Sequence, residues 1–326
     1  MDKRMIYLIT LIAELSKRIE ISRVYSNKFK ASGNNYLSPT EVIRIDQMTN
    51  HFVTAGIVGR NDSLPIVNKD GFAITEFEPD IIGGELPYSA SDILQLQAGI
   101  PMITSSGAEI PTIEQLENKY GKILAAAIGN RFEKQCAEAY LKGTYTDKTG
   151  KALNVGVTNE ETLTFNAKTK YSDEILKLMI EYHKKNSVFP NVEVGEMVFN
   201  GLKNEANDTK QNINGVKFVF GETPYLELGQ KKIELLCDAK DTKNESIETN
   251  NLIILSTPSN LAVGYGCLMY GDVKTNESKT FRGELAAGDT RVDATSGNKG
   301  LWAKSAPMPV ILSTSKFKRY KVTISA

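Results

Sequence analysis

The sequence predicts an α+β fold, and two observations indicate it. A helical segment of about thirty residues lies near the middle of the chain and would extend roughly 45 Å at 1.5 Å per residue. Short apolar segments separated by turn residues follow it as far as the C-terminus, a pattern typical of many short strands. No internal repeat or low-complexity block interrupts these elements.

The overall composition argues against several function classes. The chain has 326 residues, enough for two or three domains, with 39 basic and 39 acidic side chains. Such a balance gives the whole chain no general attraction to nucleic acid or to a membrane surface. The three cysteines, Cys136, Cys237 and Cys267, have unrelated spacings. They indicate no disulfide framework and favour a reducing compartment.

The charges are nevertheless unevenly distributed. Residues 1–30 contain seven basic and three acidic side chains, whereas residues 70–118 contain nine acidic and no basic ones. Opposite charges on two exposed surfaces steer association more than they add affinity. We therefore expect the basic N-terminal segment and the acidic segment to meet between neighbouring copies of the chain and to speed their assembly. The alternative is that the charges of the basic segment face solvent or DNA.

The N-terminal segment predicts an amphipathic helix. Its apolar residues recur at helical spacing: Leu8, Leu11 or Ile12, Leu15 and Ile19. No small-residue cleavage site follows, so a helix is favoured over a signal peptide, and the apolar stretch is too short to cross a bilayer. Residues 21–50 are polar and are expected to be irregular.

Residues 51–105 are expected to be extended. The sequence NKDG, residues 68–71, separates two apolar runs, and its Asp-Gly pair fits a hairpin turn. A two-stranded hairpin is only marginally stable alone. Neither this segment nor the N-terminal helix has a core of its own, so we expect both to bury apolar side chains on a neighbouring copy. The alternative is that both pack within their own chain.

The long helix is predicted to begin at Thr112, a capping residue with Gln115 as its partner, and to end before Gly143 in a left-handed conformation. Its apolar residues form one stripe that then continues one position out of register: Ile113, Leu116, Tyr120, Ile123 and Ala127, then Ile128, Phe132, Cys136 and Tyr140. This spacing predicts that Ile123 faces the core, where a charged side chain would block folding.

The remaining elements are shorter. A second helix is predicted over 173–186, with Ser172 as its cap. Short strands are predicted on both sides of it, with a short helix near 201–208. The closing segments GLWAKSAPMPVIL and FKRYKVTI are interpreted as two strands.

No residue is assigned to catalysis, a cofactor or a metal ion. His51 has no cysteine or carboxylate at ligand spacing, and His183 lies among lysines on the second helix, where a solvated residue is the simpler interpretation. The segment GYGCLMYG, residues 264–271, has the wrong glycine spacing for a dinucleotide site, so its glycines are interpreted as structural. We therefore do not expect an enzyme.

The order of these elements resembles that of the lambda-type major capsid proteins of tailed bacteriophages, the major capsid protein E family. The similar segments are NHFVTAGIVGRNDSLPIVNKDGFAITEFEPDIIGG, the long helix with YLKGTYT, NLIILSTPSNLAVGYGCLMYGDV and LWAKSAPMPVILSTSKFKRYKVTI. They extend from about residue 50 to the C-terminus. Apolar residues, prolines and glycines in a fixed order carry the resemblance.

The resemblance implies a Hong-Kong-97-like capsid fold. The chain would then have an N-terminal arm, an extended E-loop hairpin, a P-domain with a long spine helix, and an A-domain. The implied boundaries are 1–50 for the arm, 51–105 for the E-loop, 106–166 for the first part of the P-domain, 167–275 for the A-domain, and 276–326 for the second part of the P-domain. Some relatives crosslink a loop lysine to a neighbour, but the lambda-type resemblance does not favour this for Lys69.

The implied function is structural. Copies of the chain would assemble as hexamers and pentamers into an icosahedral phage head that encloses double-stranded DNA. Scaffold, portal and decoration proteins would be further partners, contact with DNA would be non-specific, and no membrane or cofactor is implied. Assembly would take place in the bacterial cytoplasm, and the product would be the virion. Two alternatives stay open: an encapsulin-like compartment that packages a protein cargo, and a soluble enzyme or binding module.

Overall fold

A computed structural model gives the fold of the chain. It describes residues 3–18, 23–44, 76–89, 92, 112–154, 160–166, 169–208, 215–219, 225–271, 278–290 and 299–324. These residues form five α-helices: α1 (Lys3–Arg18), α2 (Val24–Ala31), α3 (Thr112–Lys142), α4 (Tyr171–Asn186) and α5 (Glu196–Asn207). No helix in this part of the chain is long and apolar enough to span a membrane.

The strands are short and are distributed over the whole chain. They are β1 (Asn35–Leu37), β2 (Ile43–Arg44), β3 (Glu76–Phe77), β4 (Ile82–Tyr88), β5 (Thr144–Thr146), β6 (Ala152–Asn154), β7 (Glu160–Phe165), β8 (Asn191–Val194), β9 (Lys217–Val219), β10 (Tyr225–Leu228), β11 (Lys231–Leu235), β12 (Leu252–Ser256), β13 (Leu261–Tyr265), β14 (Leu268–Gly271), β15 (Ser278–Phe281), β16 (Ala286–Asp289), β17 (Lys299–Ser305), β18 (Pro307–Ile311) and β19 (Phe317–Ile324). Two single-turn 3-10 helices connect strands that are consecutive in the chain: Pro258–Asn260 lies between β12 and β13, and Thr314–Lys316 lies between β18 and β19.

The largest sheet has seven strands in the order β7-β19-β12-β8-β11-β10-β9. The β7–β19 and β8–β11 pairs are parallel, and the other pairs are antiparallel. Every residue of β12 is buried. Because successive side chains of a strand point to opposite faces, Ile253 and Leu255 enter one core whereas Leu252 and Ile254 enter another. β12 therefore separates two hydrophobic cores.

Three main cores lie in series along the molecule. The outer core, where α4 and α5 cover one face of the large sheet, includes Ile175, Leu202, Leu226, Ile233 and Ile253. The central core lies on the other face of β12 and includes Tyr25, Phe29, Tyr140, Ile254 and Phe317. The arm core lies between α1, the first half of α3 and the sheet β16-β17-β4, and includes Leu8, Ile12, Leu116, Leu124 and Leu301. The helix α3 connects the arm core to the central core.

Three elements differ from the sequence prediction for residues 21–50. This segment was expected to be irregular, but it contains α2 and the short strands β1 and β2. β1 pairs with β13, and Tyr25 and Phe29 of α2 enter the central core. Few apolar residues suffice here because both of these aromatic side chains are almost completely buried. Tertiary contacts override the polar composition of the segment.

Three predictions for the later elements were also wrong in detail. The helix expected near 201–208 begins earlier, at Glu196, and the two closing segments form three strands, because β17 and β18 are separate. Ser172 does not cap α4: it lies in the first turn and is buried. The carboxylate of Glu205 on α5 accepts hydrogen bonds from the N–H groups of Tyr171 and Ser172 at 2.6 and 3.2 Å instead.

The predicted face of α3 was wrong in its first half. Leu116 is 1% exposed, but Ile123 is 47% exposed and Ala127 is exposed too. Leu124 and Ala125 are buried in place of these two residues. The buried face follows steps of four residues, from Leu116 through Tyr120 to Leu124, and these residues form a ridge that rotates slowly around a straight helix. The prediction instead took a step of three from Tyr120, which selected Ile123.

The first helix was expected to need a neighbouring copy, and this expectation was wrong. α1 packs on α3 and β16 of its own chain, and Met5, Leu8, Ile12 and Leu15 are each at most 6% exposed. Complete burial of an aliphatic side chain stabilises a fold by about 1.5–3 kcal/mol relative to exposure. The sequence left open whether Leu11 or Ile12 faces the core. Ile12 is the buried residue, and Leu11 is only partly buried. The 51–75 part of the extended segment lies outside the described residues.

Candidate functional site

The helix α3 is the element that the other parts of the molecule contact, and its two ends are held differently. It ends as predicted: Gly143 has a left-handed φ of 74°, and its N–H donates to the carbonyl of Ala139 at 3.0 Å. Glycine adopts this conformation without steric cost. At the other end the helix begins at Thr112, whose side chain lies outside the described residues.

An ion-pair cluster fixes α1 to the first turns of α3. The guanidinium of Arg4 donates to both carboxylate oxygens of Glu117, and to Asp289 on β16 at 2.9 and 3.0 Å. The hydrogen bond to Asp289, with a further contribution from Glu117, raises the pKa of Arg4 above its ordinary value despite partial burial. Glu117 is almost fully buried, so this cluster orients α1 as well as attracting it.

The same cluster tests the expectation that the basic and acidic segments meet between neighbouring copies of the chain. Glu117 belongs to the acidic segment and Arg4 to the basic one, but they meet within one chain. Lys28, another residue of the basic segment, also pairs within the chain, with Glu193 on β8. For these residues, contact between neighbouring copies was the wrong prediction, because the fold brings the two segments together locally.

Two glycines allow close approach to α3. A methyl group placed on Gly121 would lie 2.9 Å from Cδ1 of Leu15 on α1, a distance that real side chains do not show. A methyl group on Gly129 would overlap the guanidinium of Arg23, the residue that precedes α2. Both arm helices therefore rest on glycine positions of α3.

The second half of α3 is enclosed on all sides. Every residue from Gln135 to Leu141 is buried, and the ring of Tyr140 contacts three other aromatic rings at 5.1–6.4 Å between centroids: Tyr25, Phe29 and Phe317. The Tyr140 hydroxyl is 3.1 Å from Glu193 and 3.1 Å from Ser256. Burial, together with the nearby Glu193 carboxylate, raises the pKa of Tyr140 well above its ordinary value.

Carboxylates of α3 also hold elements that are distant in sequence. Glu133 accepts hydrogen bonds from the N–H groups of Tyr25 and Ser26, each at 2.8 Å, and so caps α2. Glu138 accepts from the hydroxyls of Thr146 and Thr242 at 2.7 and 2.9 Å. No local motif reveals these contacts, since the partners lie up to 108 residues apart.

The loop over 237–249 is tied to the end of α3. Lys142 forms an ion pair with Asp241 at 2.9 Å, and the guanidinium of Arg131 donates to the carbonyl of Thr242 at 2.7 Å. Burial alone would raise the pKa of Asp241, but hydrogen bonds from Lys142 and from the N–H groups of Glu245 and Lys243 lower it below its ordinary value of 3.8.

The residues considered for chemistry are dispersed. The ring of His183 stacks on Phe189 at 4.2 Å, and His51 lies outside the described residues. Cys136, Cys237 and Cys267 are all free thiols. No group of three or more histidine, cysteine or acidic side chains in the described part of the chain could hold a metal ion. Two glycines of the GYGCLMYG segment are packing positions: a methyl group would lie 2.9 Å from Ile43 at Gly264 and 2.7 Å from Pro79 at Gly266.

Several large apolar side chains are exposed on the single chain. Those more than 40% exposed are Ile6, Leu37, Ile81, Ile123, Ile180, Val188, Phe189, Leu235, Met269 and Ile324. They occur on all three cores' outer surfaces and on both halves of the chain. Isolated exposed apolar residues are common in monomeric proteins, so their distribution alone identifies no partner.

Comparison with known protein families gives the identity of this architecture. The family described as phage major capsid protein E matches residues 13–186, more than half of the chain. The chain belongs to this family. It is therefore a structural capsid protein of the phage virion head. The sequence of the chain matches none of the curated proteins.

Several solved structures are similar to this chain. A prophage protein from E. coli CFT073 described as a putative capsid protein is 15% identical with a TM-score of 0.61, over 99% of this chain and 100% of that chain. The mature capsid of bacteriophage PhiM1 is 10% identical, with 89% and 86% covered and a TM-score of 0.46. An encapsulin from Synechococcus elongatus PCC 7942 is 9% identical, with 93% and 90% covered and a TM-score of 0.47. The family and the prophage structure confirm the Hong-Kong-97-like capsid fold predicted for this chain.

Proposed function

We propose that this major capsid protein is one tile of an icosahedral head and that its copies assemble as hexamers and pentamers around double-stranded DNA. The observation that supports this proposal is the arrangement of the cores. An ordinary single-domain protein has one contiguous core. Here three main cores lie in series, and one helix of 31 residues connects two of them. Such a body presents a long perimeter for contacts with neighbouring tiles.

The proposed division of the tile follows the family fold. Residues 1–50 would be the arm, 51–105 the E-loop, 106–166 and 276–326 the P-domain, and 167–275 the A-domain. In this division β7 and β19 of the P-domain extend the sheet of the A-domain beside β12. The arm would lie on the spine helix of its own tile through α1 and α2, and the E-loop would reach a neighbouring tile.

The proposed partners are assembly proteins and DNA. Scaffold, portal and decoration proteins would contact the shell, packaged DNA would contact it without sequence preference, and assembly would occur in the host cytoplasm. Many modest contacts between tiles would add up through multivalency. A role as a compartment for a protein cargo is distinguished by the contents of purified shells, which would be a protein and not DNA.

The test is assembly of the full chain in the presence of its scaffold protein. We expect negative-stain images to show closed shells or curved sheets with six-fold packing, and sedimentation velocity to show particles far larger than a dimer. If only monomers and dimers sediment at high protein concentration, the proposal is wrong. Shells that contain one co-purified protein and no DNA would favour the cargo compartment.

A further inference from the structure

A cavity of about 590 Å³ lies where both arm helices meet α3. Its walls come from α1, α2 and α3 and from the loops beside β13, β16 and β18. One side of it is apolar and is formed by Ile12, Ala125, Ile128, Phe132, Leu285 and Pro307. A cavity of this size accommodates a few side chains of a peptide.

Three basic side chains also line the cavity, and none of them has an acidic partner among the residues that the structure describes. Lys17 and Lys30 are exposed and form no ion pair; Lys30 lies over the ring of Phe132 at 5.3 Å. Arg23 donates to the hydroxyl of Ser16 at 2.9 Å. Its Nε and Nη2 atoms are buried and have no hydrogen-bond partner.

The single acidic residue in the lining does not balance these charges. Glu284 already accepts a hydrogen bond from the side-chain amide of Asn35 at 3.0 Å. Three positive side chains and one negative side chain leave the cavity with an excess of two positive charges. By contrast, Arg4 and Lys28 each have a carboxylate partner within the chain. Three described cations of the arm that lack such a partner thus lie together at this cavity.

An unpaired buried cationic donor is costly, and a carboxylate is the ligand that relieves the cost at Arg23. A buried donor without a partner destabilises a fold, more so when the donor is charged. A guanidinium and a carboxylate form two parallel hydrogen bonds, so Arg23 would bind such a group in a defined orientation after a small side-chain rotation. The apolar side chains in the lining favour a ligand that also carries aliphatic or aromatic groups.

We propose that this cavity binds an acidic, apolar peptide segment of a partner protein, in which glutamate or aspartate residues flank leucine or phenylalanine. The carboxylates would contact Lys17, Arg23 and Lys30, and the apolar side chains would lie against Ile128 and Phe132. DNA fits less well, because a duplex is too wide to bring its phosphates to a partly buried guanidinium. The cavity lies within one chain, so a failure to form shells would leave this site unaffected.

The test uses the full chain and a fluorescein-labelled twelve-residue probe peptide of repeating Glu-Leu-Leu-Glu-Phe-Leu sequence. Fluorescence anisotropy measures its Kd, and a peptide with glutamine in place of glutamate serves as the uncharged control. Reversing Lys17 and Lys30 together to Glu should weaken binding at least tenfold. The matched control is Lys119→Glu with Lys122→Glu, which makes the same charge change on the exposed face of α3 and should leave the Kd within twofold.

A second variant separates occupation of the cavity from general attraction between charges. Ala13 is exposed and lines the cavity, so Ala13→Trp fills space without changing charge. We expect it to weaken peptide binding at least tenfold while the melting temperature is retained. The proposal is overturned if Ala13→Trp binds the probe normally, if both double variants lose binding equally, or if a twenty-base-pair DNA duplex displaces the peptide at equal phosphate and carboxylate concentration.

Discussion

The two halves of α3 differ in how completely they are buried. Over 112–127 the helix is covered on one side by α1 and the sheet β16-β17-β4, while Lys119, Lys122 and Ile123 remain exposed. Over 135–141 every side chain is buried between the central core and the loop 237–249. The first half is therefore packed on one side alone, against α1 and this sheet. Enclosure on all sides makes the second half part of the core on which the rest of the fold depends.

The kind of polar contact differs in the same way. In the first half, one ion-pair cluster at Arg4 orients α1 against Glu117 and Asp289. In the second half, side chains of α3 bind the backbone of other elements, as Glu133 does at α2 and Arg131 at Thr242. A lost backbone partner leaves an unsatisfied buried group. In the cluster, Arg4 and Asp289 are partly exposed and can be solvated when a partner is lost, although Glu117 is buried. Truncation of these polar contacts should therefore have larger effects in the second half.

The largest effect is expected at Tyr140. Tyr140→Ala removes a completely buried ring from the central core and two contacts from Glu193 and Ser256, so we expect a loss of about 3–5 kcal/mol in the free energy of unfolding. Urea unfolding followed by circular dichroism measures it. Tyr140→Phe is the matched control and should cost about 1 kcal/mol, because it removes the hydroxyl alone. Equal stability of Tyr140→Ala and the native chain would contradict the enclosure of this half.

A smaller and local effect is expected at Gly121. Gly121→Leu pushes α1 away from α3 because its side chain would overlap Leu15, at a cost of about 1–3 kcal/mol. Amides of α1 should then exchange hydrogen about ten- to a hundredfold faster, since each 1.4 kcal/mol is a factor of ten. Ala127→Leu, which enlarges an exposed position of the same half, should leave this exchange unchanged. Loss of protection in the second half of α3 as well would show that the two halves are not independent.

A pH-dependent effect is expected at Asp241, the loop residue that pairs with Lys142 at the end of α3. Because the folded state lowers the pKa of this carboxyl, its contribution to stability is complete above about pH 4 and disappears as the pH falls through the folded value. Asp241→Asn should therefore cost about 1 kcal/mol at pH 7 and less at an acid pH at which the carboxyl is protonated in the folded state too. Thermal unfolding at the two pH values measures this. Lys142→Met should reproduce most of the loss at pH 7, and a loss that is independent of pH would contradict the ion pair as its cause.

The smallest effect is expected at Ile123. Its side chain is 47% exposed, so Ile123→Asp should change the free energy of unfolding by no more than about 0.5 kcal/mol. Leu124→Asp, one position further along the same half, would place a carboxylate in the arm core and should give insoluble or unfolded protein. Comparison of soluble yield and melting temperature for the two variants checks the face of the helix. Equal behaviour would reverse the assignment of the buried face.

The sequence by itself determined the elements whose signals are local. The α+β class, the length and the glycine end of α3, the amphipathic α1 and most of the later strands follow from spacing and from turn and cap residues, which act over a few positions. The order of apolar residues, prolines and glycines also carried the family resemblance. These features persist in any environment that supplies a core.

The tertiary structure decided what depends on residues far apart in the chain. It placed α1 on its own α3 and not on a neighbour, chose Leu124 over Ile123, and replaced Ser172 by Glu205 as the cap of α4. It also placed Lys17, Arg23 and Lys30 beside one cavity, where none of them has an acidic partner among the described residues. The physical reason is that several residues close together in the chain could equally well face the core, cap a helix or form an ion pair. Only the shape and charge of the opposing surface select one of them.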